Sequence, residues 1–181
     1  MTARLCVALL VLAPLSARAG DEENPFRKAK VGDFATYKLT TTGLAASDGT
    51  ATRTVTAKDD KEVVLKTVVT AGGKAQPVPD ERIDLTRPYN PLIVPVLAGT
   101  PVKLEKVKEG AEKVKAGGRE YDARWTTYKV SGQLNGLDVS GEVKVWLSKD
   151  IPLALVKMHT TAVVGGKKLE TVHELVETGG K

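Results

Sequence analysis

VKMHTTAVVGGKKLETVHEL, residues 156–175, is the stretch that decides the fold of this chain. A two-residue turn at Gly165-Gly166, where both residues can adopt positive φ, joins its two halves as antiparallel strands. The predicted pairs on one face are Val156 with Leu175, Met158 with His173, Thr160 with Thr171 and Ala162 with Leu169. Those on the other face are Lys157 with Glu174, Thr161 with Glu170 and Val163 with Lys168. A one-residue slip would disrupt both faces, so the sequence predicts a hairpin in this register.

A second hairpin is predicted at Gly117-Gly118 by the same test. Val114 then faces Tyr121, while Lys115 faces Glu120 and Lys113 faces Asp122. Opposite charges on directly opposed strand residues stabilise such a pair. Apolar residues at 104, 107, 111 and 114 also fit the spacing of a helix, which is the competing interpretation. Gly110 and the matched charges favour strands.

Val, Thr and Leu alternate with charged residues along most of the remaining chain, with glycine at the turns. The further predicted strands are 34–42, 50–57, 62–70, 74–85, 102–108, 121–130 and 137–147. The fold class is therefore all-β, with about nine or ten strands in one curved antiparallel sheet that forms an incomplete or closed barrel. The barrel domain spans residues 31–178. A leader at 20–30 precedes it, with one helical turn at Pro25–Lys30.

The first 19 residues have the layout of a cleavable signal peptide. Arg4 precedes an apolar run at 5–13, and the small-residue triplet at 17–19 predicts cleavage after Ala19. The run is too short for a transmembrane helix, so we expect a secreted or periplasmic protein without a stable membrane anchor. The only cysteine, Cys6, leaves with this segment. The exported chain therefore has no disulfide and no thiolate chemistry.

Charge gives no support for nucleic-acid binding. The formal net charge is +5, and removal of Arg4 and Arg18 reduces it to about +3. Basic and acidic residues also alternate, as in 103–109, which is typical of a solvated face rather than a phosphate-binding stripe.

Catalytic and metal-binding patterns are not evident in the sequence. The predicted hairpin register places His159 and His173 on opposite faces, so we expect no shared metal site. No serine lies in a Gly-x-Ser-x-Gly motif, and each Gly-Gly joins two strands rather than a strand and a helix. The sequence therefore predicts a protein that is not an enzyme and holds no cofactor.

The segment 87–101 holds four prolines among large aliphatic residues, which rules out a central strand. It is predicted to be a loop that packs over one end of the core. The alternative is a mobile flap over an apolar cavity, and in that case Ile93 and Leu97 would contact a ligand.

Two tryptophans stand out because aromatic residues are sparse. Trp125 shares its strand face with Tyr121, and Trp146 lies in the strand 137–147. Both indoles are expected either to fill the core or to line a ligand cleft formed by the curved sheet. The candidate ligand-lining residues are Trp125, Trp146, Tyr121, Ile93 and Leu97.

Three stretches resemble known bacterial proteins. VKVWLSKDIPLALVKM, residues 143–158, is similar to the late hairpin of the periplasmic lipoprotein carriers, in which a Trp-containing strand leads into a turn, a proline and a return strand. VGDFATY at 31–37 and GGREYDA at 117–123 resemble segments of uncharacterised small secreted bacterial proteins. The resemblance implies an incomplete β-barrel around an apolar interior that holds acyl chains or another apolar ligand.

The sequence thus predicts an exported, non-enzymatic binding protein whose partner is an apolar small molecule or lipid held in the concave face of the half-barrel. The alternative is a structural or interaction module of the cell envelope. Such a module would have a filled core and would bind another envelope protein through an exposed sheet edge.

Overall fold

The computed structural model describes residues 24–43, 46–89, 102–134 and 136–180. The predicted signal peptide, Ile93 and Leu97 lie outside these residues. No helix within the described ranges is long and apolar enough to cross a membrane.

The described residues form nine antiparallel strands in one sheet, which confirms the predicted fold class. The strands are β1 (Phe34–Gly43), β2 (Ser47–Lys58), β3 (Glu62–Ala71), β4 (Lys74–Asp84), β5 (Val102–Ala116), β6 (Arg119–Leu134), β7 (Leu137–Leu147), β8 (Leu155–Val164) and β9 (Lys167–Gly179). Their order across the sheet is β4-β3-β2-β1-β9-β8-β7-β6-β5. Within the described part of the chain the sheet does not close, and β4 and β5 are its two edges.

The two predicted Gly-Gly hairpins have the register that the sequence indicated. Met158 pairs with His173 and Lys157 with Glu174 across β8 and β9. Val114 pairs with Tyr121 across β5 and β6, so the helical interpretation of this stretch is wrong. The strand predicted to end at Lys108 is also too short, because β5 continues to Ala116. A register shift between Lys106 and Lys108 lets it stay paired with β6 along this length.

Alternation along the strands places most of the buried residues on one face of the sheet, which we call the inner face. The register puts Tyr37, Val55, Leu65, Val145 and Leu175 on this face, and each of these side chains is almost completely buried. The opposite face, called the outer face, carries cross-strand charge pairs such as Lys157 with Glu174. Most of the core of the protein therefore lies on the inner face, while Tyr121, Ala123 and Trp146 are buried on the outer face.

The curvature brings distant strands together. β5 and β9 are four places apart in the sheet, yet the β5–β6 turn lies against β9. A Cβ added at Gly117 would stand 2.8 Å from the carbonyl oxygen of Val176. Glycine is thus required at this turn both for its positive φ of 55° and for the close approach of two backbones.

One end of the inner face is filled by residues outside the sheet. A 3-10 helix at Pro25–Lys28 buries Phe26 completely, and the β7–β8 connection buries Leu153. The Asn24 amide fixes this helix by donating to the carbonyl oxygens of Asp84 and Arg87, each at 3.0 Å. Residues 24–29, predicted as part of a leader, therefore pack into the core of the half-barrel.

Candidate functional site

A charged cluster on the inner face is the candidate site, and it begins with Arg53. β2 alternates so that Ala51, Arg53 and Val55 point to the inner face, with apolar side chains on either side of the arginine. The Arg53 side chain is only 10% exposed. An arginine at an inward position of a strand is unusual, because a charge must be paired before it can be buried at tolerable cost.

The partner of Arg53 is Glu81 on the edge strand β4. The Arg53 guanidinium donates to the Glu81 carboxylate, and the glutamate side chain is also only 10% exposed. The two residues lie on strands that are not neighbours, with β3 between them. A buried ion pair adds little net stability because desolvation offsets the attraction of the charges, so a role other than stability is a reasonable explanation for it.

Two tyrosines complete the polar part of the cluster. Tyr89 lies near enough to Arg53 to interact with its charge, and its ring packs edge-on against Phe26 with centroids 4.7 Å apart. The Tyr37 hydroxyl donates to the carbonyl oxygen of Leu155 at 3.2 Å. Desolvation raises the pKa of both tyrosines, and this outweighs the lowering effect of Arg53. Both phenols therefore stay neutral near pH 7.

The Arg53 guanidinium stays charged despite its burial. Desolvation alone would lower its pKa, but the interactions with Tyr89, Glu81 and Tyr37 offset this effect and raise the pKa above its usual value. The cluster thus presents a permanent cation surrounded by one carboxylate and neutral hydroxyl groups.

His173 lies on the same face, opposite both Met158 and Leu39. Desolvation, with a further contribution from Arg53, lowers its pKa to about 4, so the imidazole is neutral near pH 7. His159 is on the outer face, where its Nε2 lies 2.7 Å from the Glu170 carboxylate. The predicted separation of the two histidines is confirmed, and the absence of a metal site stays a prediction.

The inner face is filled at one end and only partly buried toward the other, over the described residues. Val55, Val63 and Leu175, near the 3-10 helix, are completely buried or nearly so. Leu39 and His173, farther along the same face toward the β1–β2 turn, are only half-buried. Among the described residues the inner face is therefore less completely buried toward the β1–β2 turn than near the 3-10 helix.

The two tryptophans form a second cluster, on the outer face. Trp125 pairs directly with Trp146 across β6 and β7. The Lys144 ammonium lies 4.2 Å from the centroid of the Trp125 ring and 4.4 Å from that of Trp146. The Glu112 carboxylate accepts from the Trp146 indole and from Lys144, and chiefly the indole hydrogen bond lowers its pKa. This arrangement holds its own cation between two aromatic faces.

The structure brings three of the five predicted ligand-lining residues together, but not on the inner face. Trp125, Trp146 and Tyr121 share the outer face, because Val145 on the inner face pairs with Thr126 rather than with Trp125. Their contact with a ligand stays a prediction. Sequence reasoning missed the Arg53 cluster, although an arginine between two inward apolar residues was a readable signal.

Comparison with known proteins gives the fold but no family. No protein-family model matches the chain, and no curated protein matches it. A solved structure described as a putative lipoprotein from Parabacteroides distasonis ATCC 8503 is similar, with a TM-score of 0.52 and 11% sequence identity. The match covers 85% of this chain and 98% of that one. At this identity the likeness shows a shared fold alone, and the resemblance to the periplasmic lipoprotein carriers stays a prediction.

Proposed function

We propose that this chain is an exported, non-enzymatic binding protein of the bacterial cell envelope that holds a lipid-like or other apolar ligand on the inner face of its half-barrel. The observation that carries the proposal is the Arg53 cluster, a buried cation on a mostly apolar face whose residues Leu39 and His173 are only half-buried. Sites with a few polar groups within an apolar concave wall are typical of small-ligand binding. The fold shared with a putative lipoprotein supports an envelope location.

Blocking the half-buried part of the inner face tests the proposal. Leu39 and Thr40 are consecutive in β1 and point to opposite faces. Leu39→Trp should lower the affinity for a fluorescent fatty-acid probe by about tenfold or more, since an indole would occupy the space used by the chain of the probe. Thr40→Trp places the same side chain on the outer face and should leave probe binding unchanged.

Native mass spectrometry of protein purified from its own host should show co-purifying lipid, and N-terminal sequencing of the exported protein should begin at Gly20. Folded parent protein that binds neither probe nor lipid would contradict the proposal.

An interaction module of the cell envelope is the second candidate function. It is favoured by the exposed apolar side chain of Val176, which is 42% exposed. In that case Thr40→Trp, rather than Leu39→Trp, should disrupt assembly with the partner protein, and the parent should bind no probe.

A further inference from the structure

We infer that the ligand of the inner face carries a monoanionic head group, and that this anion takes the place of Glu81 on the Arg53 guanidinium. The inference rests on the proposed function and specifies the chemistry of the ligand. It follows from three observations about the charged cluster: the position of Glu81, the nature of the groups around Arg53, and the side on which the inner face is only half-buried.

Glu81 is the member of the ion pair that is held least firmly by the sheet. It lies on β4, an edge strand with a neighbour on one side only. The β3–β4 register shifts beside it, because Leu65 pairs with Glu81 while Thr67 pairs with Val78. Pro79 and Asp80 therefore fall within the irregular part of the ladder. An edge strand interrupted by a bulge can move its side chain at lower cost than a central strand can.

Arg53, by contrast, is fixed. β2 is paired on both sides, with β1 and with β3, and the guanidinium interacts with the nearby Tyr89. When Glu81 moves away, the site that it leaves contains one permanent cation, neutral tyrosine hydroxyl groups and a neutral imidazole. Such a set suits a single negative charge, because a second charge would have no partner in a poorly solvated place.

The route to Arg53 passes apolar surface. Leu39 and His173, both half-buried, lie between the cluster and the end of the inner face nearest the β1–β2 turn. An anion without an apolar tail would gain nothing from this surface, whereas an amphiphile would bury its tail there while its head reaches the guanidinium. A planar guanidinium forms two parallel hydrogen bonds with a carboxylate, so a fatty acid is the simplest ligand that fits.

Paired ligands separate this inference from the proposed function. Dodecanoate and dodecanol have the same apolar tail, and only the former carries a charge at pH 7. Calorimetric titration of the parent protein should give an affinity for dodecanoate at least about tenfold higher than for dodecanol, the usual value of a charged hydrogen bond. Equal binding of both would overturn the head-group inference and leave the proposed function standing. Binding of neither would overturn both.

Charge-neutral variants test whether Arg53 and Glu81 form the head-group site. Glu81→Gln removes the competing carboxylate with little change of shape and should raise dodecanoate affinity by about tenfold, because the anion no longer displaces a paired group. The double variant Arg53→Gln/Glu81→Gln should lose the preference for dodecanoate while it keeps dodecanol binding. Glu112→Gln, on the outer face, is the matched control and should change neither affinity.

Circular dichroism and thermal melts establish that each variant is folded. Should Glu81→Gln fail to fold, dodecanoate should restore its structure and dodecanol should not, since only the acid supplies an anion for Arg53. An Arg53→Gln/Glu81→Gln protein that is folded and still prefers dodecanoate would overturn the assignment of the head-group site.

Discussion

Each face of the sheet carries a cluster of one cation, one carboxylate and two aromatic side chains. On the inner face Arg53 and Glu81 lie with two tyrosines, and on the outer face Lys144 and Glu112 lie with two tryptophans. The two clusters differ in how far their charged side chains are exposed to solvent. Arg53 and Glu81 are each 10% exposed, whereas Lys144 is 30% and Glu112 is 44% exposed.

The choice of side chains follows from that difference. A guanidinium within the fold needs a hydrogen-bond acceptor with defined geometry, and the Glu81 carboxylate provides it. An ammonium near water can remain partly hydrated, so the faces of Trp125 and Trp146 are sufficient partners for it. We therefore expect the burial of a cluster, rather than its composition, to determine how much stability is lost when one of its charged residues is replaced.

The largest expected effect is the loss of one charge of the inner pair. Arg53→Met should cost about 3–5 kcal/mol in the free energy of unfolding, because it leaves Glu81 buried without a cation. Urea denaturation measures this cost. The double variant Arg53→Met/Glu81→Leu should recover most of it, since neither charge then remains. A cost below about 1 kcal/mol for the single variant would mean that Glu81 reaches water freely and that the two clusters do not differ in the way described.

The second largest effect is expected from acid, which should lower the stability of the protein through His173 on the inner face. The folded-state pKa of His173 is about 4, below the ordinary 6.5, so between these values the unfolded chain binds a proton that the folded chain does not. Its contribution to stability is complete above pH 6.5 and is lost as the pH falls toward 4, by about 2–3 kcal/mol. The unfolding free energy of the parent should therefore fall more steeply over this range than that of His173→Leu. Identical slopes would show that His173 is as solvated as an outer-face histidine.

A smaller effect is expected from crowding on the outer face. A Cβ at Gly110 would lie 2.8 Å from the Trp125 ring, so Gly110→Ala must displace the indole. We expect a cost of about 1–2 kcal/mol, measured by urea denaturation. Trp125→Ala in the same chain removes the clash, and the double variant should then show a smaller Gly110→Ala penalty. Additive costs would show that the ring is not held against the glycine.

The smallest effect is expected from the outer cation itself. Lys144→Met should change stability by less than about 1 kcal/mol, because the ammonium is partly hydrated and its ion pair with Glu112 is exposed. Thermal melts at low and high salt measure this change. A loss as large as that of Arg53→Met would remove the distinction between the two faces.

The sequence predicted local structure well where a turn fixed the neighbouring residues. Gly165-Gly166 and Gly117-Gly118 each determine a register, and both registers are confirmed. It predicted the strand ends less well, because Gly110 marks a close approach of Trp125 rather than a break in β5. The residues next to Gly110 in the sequence do not show that the ring of Trp125, on the neighbouring strand, packs against it.

The candidate site depends on contacts that no local pattern fixes. Arg53 and Glu81 are 28 residues apart, and their strands are separated by β3 with a register shift on each side. Each register shift changes which side chains face one another. The contact between Arg53 and Glu81 could therefore not be predicted by counting residues from the turns. The sequence left the face of the tryptophans open for a related reason, since the pairing of β6 with β7 had no Gly-Gly turn to set it.

The two edges of the sheet bear on how the protein behaves among its neighbours. Among the described strands, β4 and β5 each have one edge without a neighbouring strand, and such an edge can carry a row of unpaired amide and carbonyl groups. β4 contains Pro77 and Pro79, which donate no hydrogen bond, and β5 is irregular between Lys106 and Lys108 and bears charges along its length. A second chain cannot add a strand to either edge in a regular ladder. The described half-barrel can therefore remain an open sheet without offering a regular template for polymerisation.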